Sequence, residues 1–130
     1  MNSSHSSENI FIQLFLFSTA PDSPPSNVMA TSQSSTEILV TWDVVPPIDQ
    51  NGVITMYQVL YQPLQTFEVD AEMETVNVSA AFLSVVLNNL QEYVEYNISV
   101  RAYTSVEAGL YSTGIVERTF EDGNAFNHIF

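Results

Sequence analysis

The stretch "NNLQEYVEYNISVRAYTSVEAGLYS", residues 88–112, decides the fold of this chain. At its centre Tyr96, Ile98, Val100 and Ala102 alternate with Asn97, Ser99 and Arg101. Successive side chains leave an extended backbone on opposite faces, so this period of two predicts a strand with one buried and one wet side.

Tyr96 opens that strand directly after the turn "QEYVE" (91–95). A tyrosine placed there, at a crossover between sheets, folds its ring into the core and uses its hydroxyl to bond the backbone a few residues upstream. This is a tyrosine corner. The bond covers a buried backbone group that would otherwise cost about 1–3 kcal/mol. Leu90 is the apolar plug beneath the turn, and Tyr93 is expected at its exposed tip. Tyr103 and Tyr111 flank the loop that follows the strand.

The same period recurs on both sides. "EILVTW" (37–42) sets Ile38, Val40 and Trp42 against Glu37, Leu39 and Thr41. "MYQVLYQ" (56–62) aligns Tyr57, Val59 and Tyr61, and "LSVVL" (83–87) aligns Leu83, Val85 and Leu87. "IVERTF" (115–120) reads as the last strand. "DVVPPIDQNG" (43–52) holds two prolines and an Asn-Gly pair and is a loop. "APDSPPSN" (20–27) is a Pro/Ser-rich linker leading to a first strand. No long 3.6-period segment and no internal repeat interrupts the pattern. The prediction is an all-β antiparallel β-sandwich with one wet face per sheet. Trp42, Tyr57, Leu90 and Tyr96 are its expected core, with Tyr61 beside them.

Composition narrows the function. The 130 residues suffice for one domain with tails. Absence of cysteine excludes disulfides, zinc–thiolate sites and thiol chemistry. Fifteen acidic residues face only Arg101 and Arg118, a formal charge of -13. Such a surface repels a nucleic-acid backbone and anionic membranes. A hydrophobic content of 45% argues against a disordered chain. The apolar run "IFIQLFLF" (10–17) is too short to span a bilayer. With Ser18 and Ala20 behind it, the run has the outline of a signal peptide cut after Ala20. Glu8, Gln13 and the missing basic residues fit a junction segment of a longer chain instead. Residues 1–20 therefore carry both readings; 21–122 form the domain and 123–130 a C-terminal tail.

The chain resembles the fibronectin type III family over about residues 21–122. The resemblance is carried, in order, by "PPSNV", "ILVTW", "PPIDQNGVITMYQVLY", "LNNLQEYVEY", "NISVRAYTSV" and "GLYS…VERTFED". It is greatest to the tandem modules of receptor tyrosine phosphatases and neural adhesion proteins. An immunoglobulin domain would need a cysteine pair around its tryptophan. Family members often carry Pro and Thr where Glu92 and Val94 stand, and glycine where Glu107 stands. No Arg-Gly-Asp and no "WSxWS" occurs, so neither integrin-loop nor cytokine-receptor properties are implied. The resemblance implies an all-β, seven-strand antiparallel Greek-key β-sandwich of immunoglobulin-like form, and a non-catalytic, extracellular protein-interaction or spacer module of a cell-surface or secreted protein. An intracellular scaffold module and a stand-alone secreted binding domain are the alternatives.

Several candidate sites stand out. Asn2, Asn77 and Asn97 each begin an N-x-S sequon. If the domain is extracellular, Asn77 and Asn97 are candidates for N-glycosylation; polar chains also produce such triplets by chance. "EVDAEME" (68–74) places Glu68, Asp70, Glu72 and Glu74 on one strand face. Calcium needs six to eight converging oxygens, whereas these would form a flat row with steps of about 7 Å. The row reads as a charged edge that blocks edge-to-edge pairing. No metal, cofactor or catalytic residue is assigned: His5 and His128 lie in the tails and lysine is absent. The loops hold the expected partner-binding residues, Pro46, Pro47, Asn51, Tyr103, Glu107 and Tyr111. They should share one end of the sandwich, facing a protein partner or a neighbouring domain.

Overall fold

A computed structural model describes residues 18–64 and 72–122. Seven strands form among them: β1 (Ser26–Ser32), β2 (Ile38–Asp43), β3 (Met56–Pro63), β4 (Glu74–Ser79), β5 (Ser84–Leu87), β6 (Glu95–Tyr103) and β7 (Ile115–Arg118). They make two antiparallel sheets, ordered β1-β2-β5 and β4-β3-β6-β7. The chain changes sheet between β2 and β3, between β4 and β5, and between β5 and β6. This is the expected antiparallel sandwich.

The alternating residues meet between the sheets. Ile38, Val40 and Trp42 from β2 oppose Tyr57 and Val59 from β3 and Tyr96, Ile98, Val100 and Ala102 from β6, all buried. Trp42 and Tyr57 pack with ring centroids 5.4 Å apart and planes tilted by 59°, a favoured aromatic geometry. Tyr61 and Tyr96 extend the row, 6.4 Å apart. The Trp42 indole N–H has no acceptor among the described residues.

The corner forms at Tyr96. Its ring is buried and its hydroxyl oxygen accepts the Gln91 N–H at 2.8 Å. Leu90 is buried below the turn. Thr119, read from sequence only as part of the last strand, holds the same turn. Its hydroxyl donates to the Gln91 carbonyl at 2.7 Å and accepts the Val94 N–H at 3.0 Å. Tyr93 takes a positive φ of 52° and is 53% exposed, with the Arg118 guanidinium 4.6 Å from its ring centre. β1 joins β7 across the sandwich edge: the Ser32 N–H donates to Glu117 Oε2 at 2.8 Å, and the Ser32 hydroxyl donates to the Arg118 carbonyl.

Three strand expectations shift. The first acids of "EVDAEME", Glu68 and Asp70, lie outside the described residues, and β4 begins only at Glu74. Its inward pair is Val76 and Val78, aligned with Val59 and Tyr57. β5 begins at Ser84, so Leu83 is half-exposed rather than inward. Its carbonyl instead accepts the Trp42 N–H. The last strand stops at Arg118, which frees Thr119 to turn its hydroxyl into the corner.

Candidate functional site

Strand direction fixes which loops meet. Met56, which begins β3, aligns both with Ser79 at the end of β4 and with Tyr103 at the end of β6. The β2–β3 loop (44–55), the β4–β5 turn (80–83) and the β6–β7 loop (104–114) therefore share one end.

The chain reaches that end at its first described residues. The Thr19 N–H and the Ser18 hydroxyl both donate to the Asn51 carbonyl, at 3.0 and 3.1 Å. The Asn51 side-chain amide donates back to the Ala20 carbonyl at 3.0 Å. The Asp22 N–H donates to the Asp49 carbonyl at 2.7 Å, and the Thr104 hydroxyl donates to the Thr19 carbonyl at 3.1 Å. Ser18–Asp22 thus tie the first loop to the last. The Asn-Gly turn makes room for them. Asn51 has φ 56° and Gly52 φ 147°, and a Cβ on Gly52 would lie 1.9 Å from the Ser18 hydroxyl. Only glycine is comfortable there. Residues 1–17, including the apolar run and Asn2, lie outside the described residues, as does the tail from 123 with His128.

Asn51 is therefore engaged by the chain itself, while Pro46, Pro47 and Glu107 are exposed. The apolar tips at this end are other residues: Ile48 (87% exposed), Val53 (78%), Phe82 (61%), Val106 (61%) and Leu110 (67%). The sequence reading missed them, although an aliphatic residue inside a turn-rich loop was a usable signal.

Tyr103 and Tyr111 belong to a different surface. On the outer face of the four-stranded sheet, Gln58 Oε1 accepts from Arg101 Nε at 2.9 Å and from the Tyr111 hydroxyl at 2.7 Å. Arg101 Nη2 donates to the Tyr103 hydroxyl at 2.9 Å. The guanidinium lies 5.1 Å from the Tyr103 ring centre and 4.4 Å from that of Tyr111, within cation–π range. Burial pushes the Tyr111 hydroxyl's pKa up, opposed by the nearby Arg101 charge. Gln58 Nε2 donates to Asn77 Oδ1 at 3.0 Å, so Asn77 joins the same row. Asn97 stands on β6, between β3 and β7, half-buried.

Of the acidic row, Glu72 and Glu74 are described, both exposed, Glu72 just before the edge strand β4 and Glu74 at its start. Glu74 aligns with Tyr61. Burial, then a hydrogen bond to Glu74 and its charge, push the Tyr61 pKa up to about 12. Among the described residues no group of three or more His, Cys, Asp or Glu is placed to hold a metal, and no helix is long and apolar enough to cross a membrane.

Comparison with known proteins agrees with this geometry. The model of the family "Fibronectin type III domain" matches residues 23–118. Protein sidekick-1 of Gallus gallus is 39% identical over 106 residues, which is 80% of this chain and 5% of that protein. Receptor-type tyrosine-protein phosphatase F of Danio rerio is 38% identical over 104 residues, 80% of this chain and 5% of its own length. The chain thus spans about one-twentieth of these relatives. Among solved structures, the FN5 domain of Drosophila Lar is 31% identical with a TM-score of 0.62, covering 78% of this chain and 98% of that one. The third fibronectin III domain of human KIAA0343 protein superposes with a TM-score of 0.76 at 24% identity, over 82% of this chain and 88% of that one. With the two-sheet topology, the tyrosine corner and a family match across nearly all of the described sandwich, this chain belongs to the fibronectin type III family.

Proposed function

We propose that this module is a non-catalytic, extracellular protein-interaction unit of a cell-surface or secreted protein, and that it meets its partner with the loop end. The observation that carries the reading is the set of apolar tips there: Ile48, Val53, Phe82, Val106 and Leu110, on three separate loops. Apolar side chains on loops braced by a rigid sandwich provide binding area at low ordering cost. The bracing is explicit, since Ser18–Asp22 bond the first loop to Thr104 and Gln50 Nε2 donates to the Val45 carbonyl at 2.9 Å. The extracellular context is supported by relatives such as sidekick-1 and the receptor-type phosphatases. What the chain shares with the phosphatases is the fibronectin module, not their chemistry.

A spacer role is the second reading, favoured by one observation. The chain enters the module at the loop end itself, through Ser18–Asp22. A preceding module of the same polypeptide would stand beside the apolar tips and could cover them.

The test is binding of the labelled, soluble module to cells, at low and high salt. Apolar contact changes little with ionic strength. Contact through carboxylates weakens as the screening length shrinks to about 8 Å at physiological salt. Ile48→Asp with Leu110→Asp should abolish binding, and neutralising Glu68, Asp70, Glu72 and Glu74 should not. The reverse pattern would move the site to the acidic strand.

A further inference from the structure

We propose that Asn77 carries an N-linked glycan whose first sugars lie along Gln58 toward Arg101, Tyr103 and Tyr111. The inference rests on the extracellular reading above.

Three sequons compete, and geometry separates the two described ones. Asn77 lies on the sheet's edge strand, is exposed, and meets Gln58 through its Oδ1. That bond survives attachment, because the sugar goes on the other side-chain atom, Nδ2. Asn97 sits on an interior strand between Gln62 and Val116. Its amide lies so close to Gly114 that a Cβ there would come within 2.4 Å of Oδ1 and 3.0 Å of Nδ2. Transfer occurs on a chain that has yet to fold, so the fold decides which glycan it tolerates. A sugar at Asn97 would oppose the seating of Gly114 and β7. A sugar at Asn77 has open solvent on its outer side.

The chemistry is a group transfer from a lipid-diphosphate-linked oligosaccharide. Asn77 Nδ2 bonds to the anomeric carbon, the bond from that carbon to the diphosphate oxygen breaks, and one amide proton is lost with the diphosphate. Ser79 supplies the sequon hydroxyl.

The seat follows from the row beside Asn77. Strands are spaced by about 4.8 Å, so Gln58 is one step away and Arg101 about 10 Å away, the reach of a two-sugar core. Arg101 forms no ion pair among the described residues; the pair there is Arg118 with Glu95 at 3.3 Å. Its guanidinium is fixed by Gln58 and two tyrosines. A neutral polyol rich in hydrogen-bonding oxygen suits such a fixed donor, and leaves the acidic surface undisturbed.

The experiment directs the full chain into the secretory pathway of mammalian cells behind a heterologous leader, then maps glycans on the secreted protein by peptide mass spectrometry. The expected result is a glycan at Asn77 and none at Asn97, lost in both Asn77→Gln and Ser79→Ala. Enzymatic glycan removal should lower the melting temperature of the wild type, and lower it less in Arg101→Ala and in the milder Tyr111→Phe. Secreted protein with glycan only at Asn97, or at neither, overturns the site; equal melting shifts in all variants overturn the seat. The heterologous leader makes this result independent of natural location. Surface labelling of the natural full-length protein tests the extracellular reading on its own.

Discussion

The corner around Gln91 makes the most specific demand on the fold. Two side chains, one on β6 and one just past the end of β7, hold one residue: Tyr96 accepts its N–H at 2.8 Å and Thr119 donates to its carbonyl at 2.7 Å. Tyr96→Phe keeps the buried ring and deletes the acceptor, a loss of about 1–2 kcal/mol. For a domain of roughly 100 residues that lowers the melting temperature by about 4–8 °C for each kcal/mol. Thr119→Val keeps the shape of a side chain that is only 1% exposed, and deletes both its donor and the acceptor for Val94. It should cost about 1–3 kcal/mol. Because both clasps close on one turn, cutting either loosens the other. The double mutant should lose less than the sum, by about 0.5 kcal/mol or more. Trp42, the only tryptophan and buried, reports unfolding by fluorescence in denaturant titrations. Tyr93→Phe is the control, since that tyrosine is exposed. Equal losses at Tyr93 and Tyr96, or a strictly additive cycle, would refute the shared-clasp reasoning.

Two other perturbations follow from the core and its tyrosines. Trp42→Ala should cost about 3–5 kcal/mol, enough to unfold a marginal domain, whereas Trp42→Phe should cost much less because the indole N–H has no acceptor to lose; paired melting curves decide between them. Alkaline stability should fall as tyrosines ionise. Tyr57, Tyr61, Tyr96 and Tyr111 all titrate above the usual value of 10.0 when folded, mainly through burial, and Tyr61 is raised to about 12. The folded state then holds more protons than the unfolded chain, so stability is intact below pH 10 and declines from there toward pH 12. No lysine titrates in that window, and Tyr61→Phe should flatten the decline measured by denaturant midpoints at stepped pH.

What was legible in the sequence was local. Period-two alternation and turn chemistry gave the β2, β3 and β6 faces, and the spacing of Leu90 to Tyr96 gave the corner. Thr119 was not legible, because its partners lie 25 and 28 residues away and a single threonine after a short strand carries no pattern. The start of β4 was obscured because "EVDAEME" alternates as well as "ETVNVS" does; among the described residues it is the pairing of Glu74–Ser79 with β3 that defines the strand. Gln58 gave no signal at all: its role comes from register, which sets it between Asn77 and Arg101. Tyr103 closes β6 and Tyr111 follows in the β6–β7 loop, and chain order does not say that these tyrosines will fold over an arginine on the sheet.

Charge joins these surfaces into one account. Both cations of the chain, Arg101 and Arg118, lie against tyrosine rings. The remaining fifteen ionisable side chains counted in the formal charge are acidic. A module with several exposed apolar loop tips and little net charge would tend to stick to its own copies. At -13, two copies repel before those tips can touch. The same field does not repel a neutral or basic partner. On the reading proposed above, the acids need not form a binding site to matter for binding: they keep the loop end available for a surface other than its own.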